Sequence, residues 1–258
     1  MFELELKRAL EVAQIVRPQI MEIYEGDFEV EIKEDNSPVT QADLLADRII
    51  TEFLSFHFPT YAFLTEESED NPSRFTNDYV WIIDPIDGTK DFVGKDGEFS
   101  VNIALSYKHE IVLGVILAPV TNVVYYATKG QGAFKIENGL TSPIHVNNKL
   151  NNLTVVTSRY HLHQTEKNMI AKHADKISHQ VTIGASLKAC IIAEGKAELS
   201  YRFSDGTKEW DIAPGQIIVE EAGGIFVKPD LTRYSYNRKD VRNREGYIIT
   251  NRKENILL

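Results

Sequence analysis

Two carboxylates three residues apart, Asp84 and Asp87, follow directly on the apolar run Val80-Trp81-Ile82-Ile83. A β-branched run of that length suits a buried strand, so the strand delivers Asp84 to its own end. Pro85 fixes its φ and donates no hydrogen bond, which predicts that the chain leaves the strand there and that both acids border one tight turn. Like charges this close repel, and each is driven towards protonation unless a cation holds it ionised. Paired oxygen ligands therefore point to a hard divalent metal. Gly88 and Thr89 follow with backbone N–H groups and a hydroxyl, the means of holding an anion. Metal on one side and anion on the other describes a phosphate site. Asp-Gly is also a common turn pair, and an ordinary surface turn is the competing reading of these residues alone. Other phosphate motifs fail: there is no Gly-x-x-x-x-Gly-Lys-Ser/Thr, and a phosphoaspartate nucleophile motif needs acids two apart, where this chain has Pro85 before Asp87.

The elements that must position these residues come from a chain of 258 residues, 43% of them hydrophobic, enough for one large domain or two closely packed halves. No apolar run approaches the ~20 residues that span a bilayer. The start, Met1-Phe2-Glu3-Leu4-Glu5, lacks the basic and apolar regions of a signal peptide, so a soluble, cytoplasmic protein is expected. Cys190 is the only cysteine, which rules out an internal disulfide framework and a thiolate metal cluster. With 38 acids against 28 Lys plus Arg, the formal charge of -10 argues against a nucleic-acid polymer or an anionic membrane as partner.

Apolar residues at three- and four-residue steps from Leu6 to Ile23 predict a helix over Leu4–Ile23, kinked or interrupted by Pro18 and ended by Gly26. A strand over Val30–Ile32 leads to Thr40, which with Asp43 matches a capping box for the next helix. Taken alone, Asp43 is a helix-start acid. Ala62–Leu64 is a short strand that ends at Glu66-Glu67, and Asn71–Asn77 reads as an exposed loop. Strands are expected over Glu98–Tyr107, Ile111–Ala118 and Asn122–Thr128, then a turn at Asn138-Gly139. The C-terminal half alternates strand Leu153–Thr157, helix Thr165–His173, strand Val181–Ile183, a helix opening at Gly184 and ending at Gly195, and strand Glu198–Phe203. Because proline is tolerated in a first helical turn, Asp211 is placed at the very opening of the helix that carries Pro214. Helices followed by a strand meander, then strand–helix alternation, predict one α+β/α/β domain over 1–258, a mixed sandwich with an α+β half over 1–149 and an α/β half over 150–258.

Glu66, Asp84, Asp87 and Asp211 all fall at strand ends or helix starts, where a fold can bring distant acids together. In order, Asp35-Asn36-Ser37-Pro38-Val39-Thr40-x-Ala42-Asp43, Glu66-Glu67-Ser68, Asp84-Pro85-Ile86-Asp87-Gly88-Thr89, Trp210-Asp211-Ile212-Ala213 and Glu221-Ala222-Gly223-Gly224 resemble the signature of the Mg²⁺-dependent inositol monophosphatase superfamily. The likeness spans roughly residues 30 to 228. It implies the layered αβαβα sandwich of the inositol monophosphatase/fructose bisphosphatase type. Thr89-Lys90-Asp91-Phe92, Gly97-Glu98-Phe99-Ser100-Val101-Asn102, Ser158-Arg159-x-His161 and Ser186-Leu187-Lys188 are more similar to the 3'(2'),5'-bisphosphate nucleotidases of the CysQ type. Ala185 departs from the second serine common there.

By this resemblance Glu66, Asp84, Asp87, Asp211 and the Ile86 carbonyl bind Mg²⁺. Thr89 relays the attacking water's proton, with Asp43 or Glu66 as its sink. Gly88, Thr89, Ser158, His161, Ser186, Lys188, Arg202 and Asp211 contact substrate. A nucleotide with two phosphates leaves one of them outside the metals, which gives Lys188, Arg202 and His161 a task that a polyol monophosphate does not. The implied reaction is adenosine 3',5'-bisphosphate, a by-product of sulfur assimilation, plus water giving AMP plus phosphate. Inositol monophosphate and NADP are alternative substrates, and a non-catalytic phosphate- or metal-binding domain is the alternative of another class. A monomer or homodimer is expected.

Overall fold

The computed structural model describes residues 2–32 and 38–258, so Asp35, Asn36 and Ser37 of the first motif lie outside the described residues. In chain order the elements are α1 (Glu3–Glu25), β1 (Val30–Ile32), β2 (Pro38–Thr40), α2 (Gln41–His57), β3 (Ala62–Thr65), a 3-10 turn (Pro72–Thr76), β4 (Tyr79–Asp87), α3 (Thr89–Val93), β5 (Ser100–Tyr107), β6 (Glu110–Ala118), β7 (Val123–Thr128), β8 (Ala133–Glu137), β9 (Leu140–Ile144), β10 (Leu153–Thr157), α4 (Gln164–Lys172), β11 (Ile177–Thr182), α5 (Leu187–Ala193), β12 (Leu199–Arg202), α6 (Glu209–Glu221), β13 (Ile225–Val227), β14 (Tyr247–Thr250) and a last 3-10 turn (Lys253–Asn255).

Strands β3 to β9 form one seven-stranded sheet in sequence order, parallel at β3–β4 and antiparallel from there on. A five-stranded sheet has the order β11-β10-β12-β14-β13. Side-chain alternation along each strand then builds the layers. On the first sheet Trp81, Ile83, Ile103 and Leu105 pack with Val16 and Ile20 of α1 and Ile50 and Leu54 of α2. The opposite face, with Ile82, Ala104 and Ile116, packs with Ile192 of α5 and Ile217 of α6. That same core takes in Val156 and Ile249 of the second sheet. The far face of the second sheet, Val155, Leu199 and Ile248, is covered by Met169 and Ile170 of α4. The succession helix, sheet, helix, sheet, helix is the expected αβαβα sandwich. Gly114 on β6 allows the α6 contact, since a Cβ there would sit 2.7 Å from the Pro214 Cα.

Four local expectations give way to tertiary context. Helix α1 runs through Pro18 without interruption; Pro18 and Gln14, whose carbonyl loses its helical donor, both lie on the exposed face, which leaves that carbonyl open to solvent. Asn71–Asn77 is largely exposed, as expected, but it contains the 3-10 turn, and Arg74 is fully buried there, held by Asp70 at 2.6 Å and by Asn237 at 2.7 Å. Helix α6 begins at Glu209, which puts Asp211 third and Pro214 in the second turn.

The fourth correction shapes the site. Strand β4 does not stop at Asp84 but continues through Pro85 to Asp87. Asp84 pairs with Asn102 and Asp87 with Ser100, three residues advancing against two, which is a β-bulge. The bulge reverses the side-chain alternation. Strict period two would put Ile86 with Ile82 and Asp84; instead Ile86 joins Ile83 in the α1/α2 core. Asp87 therefore emerges on the same face as Asp84, where an unbulged strand would aim the two acids apart.

Candidate active site

The backbone N–H of Glu66 donates to the Ile83 carbonyl at 3.2 Å, which sets Glu66 beside Asp84 across the β3–β4 edge. In the first turn of α6, the Lys208 N–H donates to Asp211 Oδ2 at 2.6 Å and fixes that carboxylate. One oxygen from each of Glu66, Asp84 and Asp211 lies within 4.8 Å of the others. Asp87 stands next to this trio, turned towards Ser186 Oγ at 2.5 Å and Asn102 Nδ2 at 3.3 Å.

Burial, followed by repulsion from Glu66, Asp87 and Asp211, pushes the Asp84 carboxyl well above the usual range. Burial and the charges of Asp87 and Glu66 push Asp211 up to about 8. Burial raises Asp87 also, opposed by Lys188, Ser186 and Asn102. Among the described residues Asp84 Oδ2 is buried with no hydrogen-bond partner. Asp84, Asp87 and Asp211, each held above the usual carboxylate range beside Glu66, fit a hard divalent cation and suit no soft metal. The set that could hold it is Glu66, Asp84 and Asp211, with Asp87 and the Ile86 carbonyl adjoining.

Asp43 is buried behind this surface. Its Oδ2 accepts from the Thr40 N–H at 2.8 Å and the Thr40 hydroxyl at 2.6 Å, completing the capping box. Oδ1 faces the Thr89 hydroxyl at 3.4 Å, and that hydroxyl is also 3.4 Å from the Ile86 carbonyl. Thr89 thus bridges the buried acid and the bulge.

Glu66, Asp84, Ile86, Asp87, Gly88, Thr89, Ser158, His161, Ser186, Lys188, Arg202 and Asp211 all border one cavity of about 410 Å³; of the residues singled out from sequence only Asp43 does not. Within it Lys188 and Arg202 are buried cations. Burial lowers the Lys188 ammonium, opposed by Asp87, and its Nζ donates to the Ala185 carbonyl. Arg202 Nε is buried without a partner among the described residues. Gly206 lies over the guanidinium so closely that a Cβ would fall 2.0 Å from Nη2. His161 is pushed down to about 4 by desolvation and then by Arg202, Lys90 and Lys188, so at neutral pH it offers a neutral ring rather than a cation. Ser158 Oγ accepts the His161 N–H at 3.2 Å and shapes that loop. The Ser186 hydroxyl is engaged inside the protein, near Asp87 Oδ2 and 2.8 Å from the Asp211 carbonyl.

Two residues of the site were given no role from sequence, although Asn102 stands in one of the stretches that carry the resemblance. Asn102 donates to Asp87, Ser186 and the Trp210 carbonyl. That carbonyl is the acceptor which Pro214, lacking an N–H, leaves without its helical donor. The mark of Asn102 in the sequence is a polar residue inside the apolar strand Val101–Leu105. Lys208, whose Nζ lies 3.3 Å from Glu66 Oε1, has no local mark that separates it from a surface lysine.

A five-layer αβαβα fold with acids from β3, a bulged β4 and α6 meeting at one cavity defines a class. The chain belongs to the inositol monophosphatase family, whose model matches residues 3–257. Among its relatives, the 3'(2'),5'-bisphosphate nucleotidase CysQ of Salmonella typhimurium is 40% identical over 224 residues, 84% of this chain and 88% of that protein. CysQ of Aggregatibacter actinomycetemcomitans is 33% identical over 239 residues, 91% of this chain and 88% of that one. The crystal structure of CysQ from Bacteroides thetaiotaomicron superposes with a TM-score of 0.84 at 32% identity, covering 98% of this chain and 99% of the other. An IMPase/NADP phosphatase in complex with NADP and Ca²⁺ shares the fold, with a TM-score of 0.84 at 21% identity. No helix among the described residues is long and apolar enough to cross a membrane.

Proposed function

We propose that the protein is a Mg²⁺-dependent phosphatase that removes the 3'-phosphate of adenosine 3',5'-bisphosphate, giving AMP and phosphate. One observation carries the reading: the carboxylate cluster and the cations Lys188 and Arg202 border the same cavity, with Asp87 acting electrostatically on both groups. The CysQ relatives supply the substrate class. A substrate with one phosphate uses the first group and leaves the second idle, whereas a bisphosphate uses both.

Bound at Glu66, Asp84, Asp87, Asp211 and the Ile86 carbonyl, Mg²⁺ would neutralise phosphoryl charge and increase the acidity of water. The protein's own part is proton transfer and orientation. Asp43 is held by two donors on Oδ2, and its Oδ1 accepts from the Thr89 hydroxyl. A Thr89 hydroxyl that donates to Asp43 turns a lone pair to the cavity and takes a proton from the attacking water while passing its own to Asp43. The water oxygen bonds to phosphorus, the P–O3' bond breaks, and the leaving oxygen takes a proton from a cavity water to become the ribose hydroxyl, while Asp43 returns its proton to solvent through Thr89. Lys188, Arg202 and the neutral His161 hold the 5'-phosphate.

The test compares kcat/KM on adenosine 3',5'-bisphosphate, inositol 1-phosphate, fructose 1,6-bisphosphate and NADP, with Mg²⁺ and with a chelator. The expected result is a preference for adenosine 3',5'-bisphosphate that vanishes with the metal. Preference for inositol 1-phosphate would move the protein to the other branch of the family. Metal and phosphate binding without turnover would make it a binding domain.

A further inference from the structure

We infer that Lys208 is a tethered cation that competes with the divalent metal for Glu66 and so raises the metal concentration at which the carboxylate cluster fills. The inference rests on the metal-dependent reading above and adds a residue that resemblance did not point to.

The reach of the side chain is set by its backbone. The Lys208 N–H is clamped to Asp211 Oδ2 at 2.6 Å, and its carbonyl accepts from Asn243 Nδ2 at 2.7 Å. The Asn243 N–H donates to the Thr207 carbonyl at 2.7 Å, and Lys208 bridges to Arg242 as an antiparallel pair. The ammonium sits over Trp210, with Nζ 5.2 Å from the ring centroid and 3.3 Å from Glu66 Oε1. Lys208 thus holds one proposed metal ligand by its ammonium and another by its amide.

An exposed Lys–Glu pair is worth little, but here the side chains keep only 26% and 18% of their surface exposed and border the cavity. Besides pairing with Glu66, this ammonium opposes the rise of the Asp211 carboxyl, which offsets part of the cost of grouping these acids. A divalent ion that takes Glu66 meets the same ammonium as a like charge. Either Nζ gives up Glu66 or the ion binds against repulsion; in both cases removal of the lysine favours the metal. A purely architectural lysine gives the opposite sign, since loosening Asp211 would weaken metal binding.

Calorimetric titration of Mg²⁺ into substrate-free protein separates these cases, together with the melting temperature in a chelator. Lys208→Gln is expected to bind Mg²⁺ about 10-fold more tightly than wild type and to melt lower in chelator. Lys208→Arg, which keeps the charge, should restore both values. Lys208→Met keeps an unbranched apolar stem without the charge and repeats the measurement if the glutamine variant fails to fold. Wild-type Mg²⁺ binding with unchanged or weaker binding by the uncharged variants overturns this inference alone. Absence of Mg²⁺ binding by the wild type overturns the metal-dependent reading, and this inference with it.

Discussion

Glu209 and Asp211 sit two residues apart in the first turn of α6, yet their surroundings are opposite. Glu209, fully buried, accepts from the Asn237 N–H at 2.7 Å, the Arg238 N–H at 2.9 Å and Arg238 Nε at 2.9 Å. Asp211 has one backbone donor and faces Glu66, Asp84 and Asp87. Glu198, also fully buried, repeats the first pattern with the Thr154 N–H at 2.6 Å and Asn147 Nδ2 at 2.5 Å. An acid that serves the fold is surrounded by donors; an acid grouped with other acids costs stability and is retained for what it can bind. The contrast separates architecture from chemistry without reference to any relative.

The largest effect tests this contrast directly. Asp84→Asn removes a proposed ligand and is expected to lower kcat/KM on adenosine 3',5'-bisphosphate by about 10³-fold or more. In chelator its melting temperature should be unchanged or higher, because one repelling charge is gone. Glu209→Gln should do the reverse and lose roughly 5 °C of melting temperature while keeping Mg²⁺ affinity, since it discards charge-assisted hydrogen bonds of the fold. Activity and stability measured on both variants break the comparison if the two behave alike. Next in size, Lys188→Ala should lower kcat/KM on adenosine 3',5'-bisphosphate by about 10- to 100-fold but barely alter that on 3'-AMP, which lacks the second phosphate. Equal losses on both substrates would place Lys188 with the metal cluster instead.

The third effect is on pH dependence. The Asp211 carboxyl is raised from 3.8 to about 8, so the folded protein holds a proton that the unfolded chain releases. Stability from this group is present in full below the unfolded value and is lost as the pH climbs through about 8. His161 works the other way: lowered from 6.5 to about 4, it favours the fold above 6.5 and withdraws support as the pH falls towards 4. Without metal the melting temperature should therefore fall by several degrees between about pH 6 and pH 9, and Mg²⁺, which competes with these protons, should raise it more at the alkaline end. Thermal melts with and without chelator across that range decide it; a metal effect independent of pH would remove the carboxylates as its site.

How much of this was legible in the sequence follows from the range of each determinant. Short apolar runs ending in acids located β3 and β4, and the motif order brought in Asp211, because strand ends and helix starts are local signals. The Pro85 bulge was not legible: Ile-Ile-Asp-Pro-Ile-Asp reads the same whether the strand stops or continues, and only pairing with Ser100 and Asn102 decides. Arg74 is buried by virtue of Asn237, 163 residues on. Strands β13 and β14, of three and four residues, lie among loops and exist only through their pairing with each other and with β12. Lys188 and Arg202 were legible as cations but not as buried ones, and the neutral state of His161 depends on their being close to it.

Pro214 provides the finest test of how the fold supports the site. By withholding a donor from the Trp210 carbonyl it leaves that oxygen to Asn102 at 3.3 Å, and Asn102 in turn contacts Asp87 and Ser186. Pro214→Ala supplies a backbone N–H that can close the ordinary helical bond and compete for the carbonyl. Alanine has the better helix propensity, so the helix itself should not suffer, although the Cα facing Gly114 keeps the position tightly packed. The expected outcome is a nearly unchanged melting temperature with Mg²⁺ affinity reduced by less than the ~10-fold typical of deleting an outer hydrogen-bond partner of a ligand. Asn102→Leu should exceed it, because it removes the donor to Asp87 outright. If Pro214→Ala weakens the metal as much as Asn102→Leu does, the carbonyl rather than the amide is what positions Asp87. If it weakens nothing, the proline is there for the approach of α6 to β6 alone.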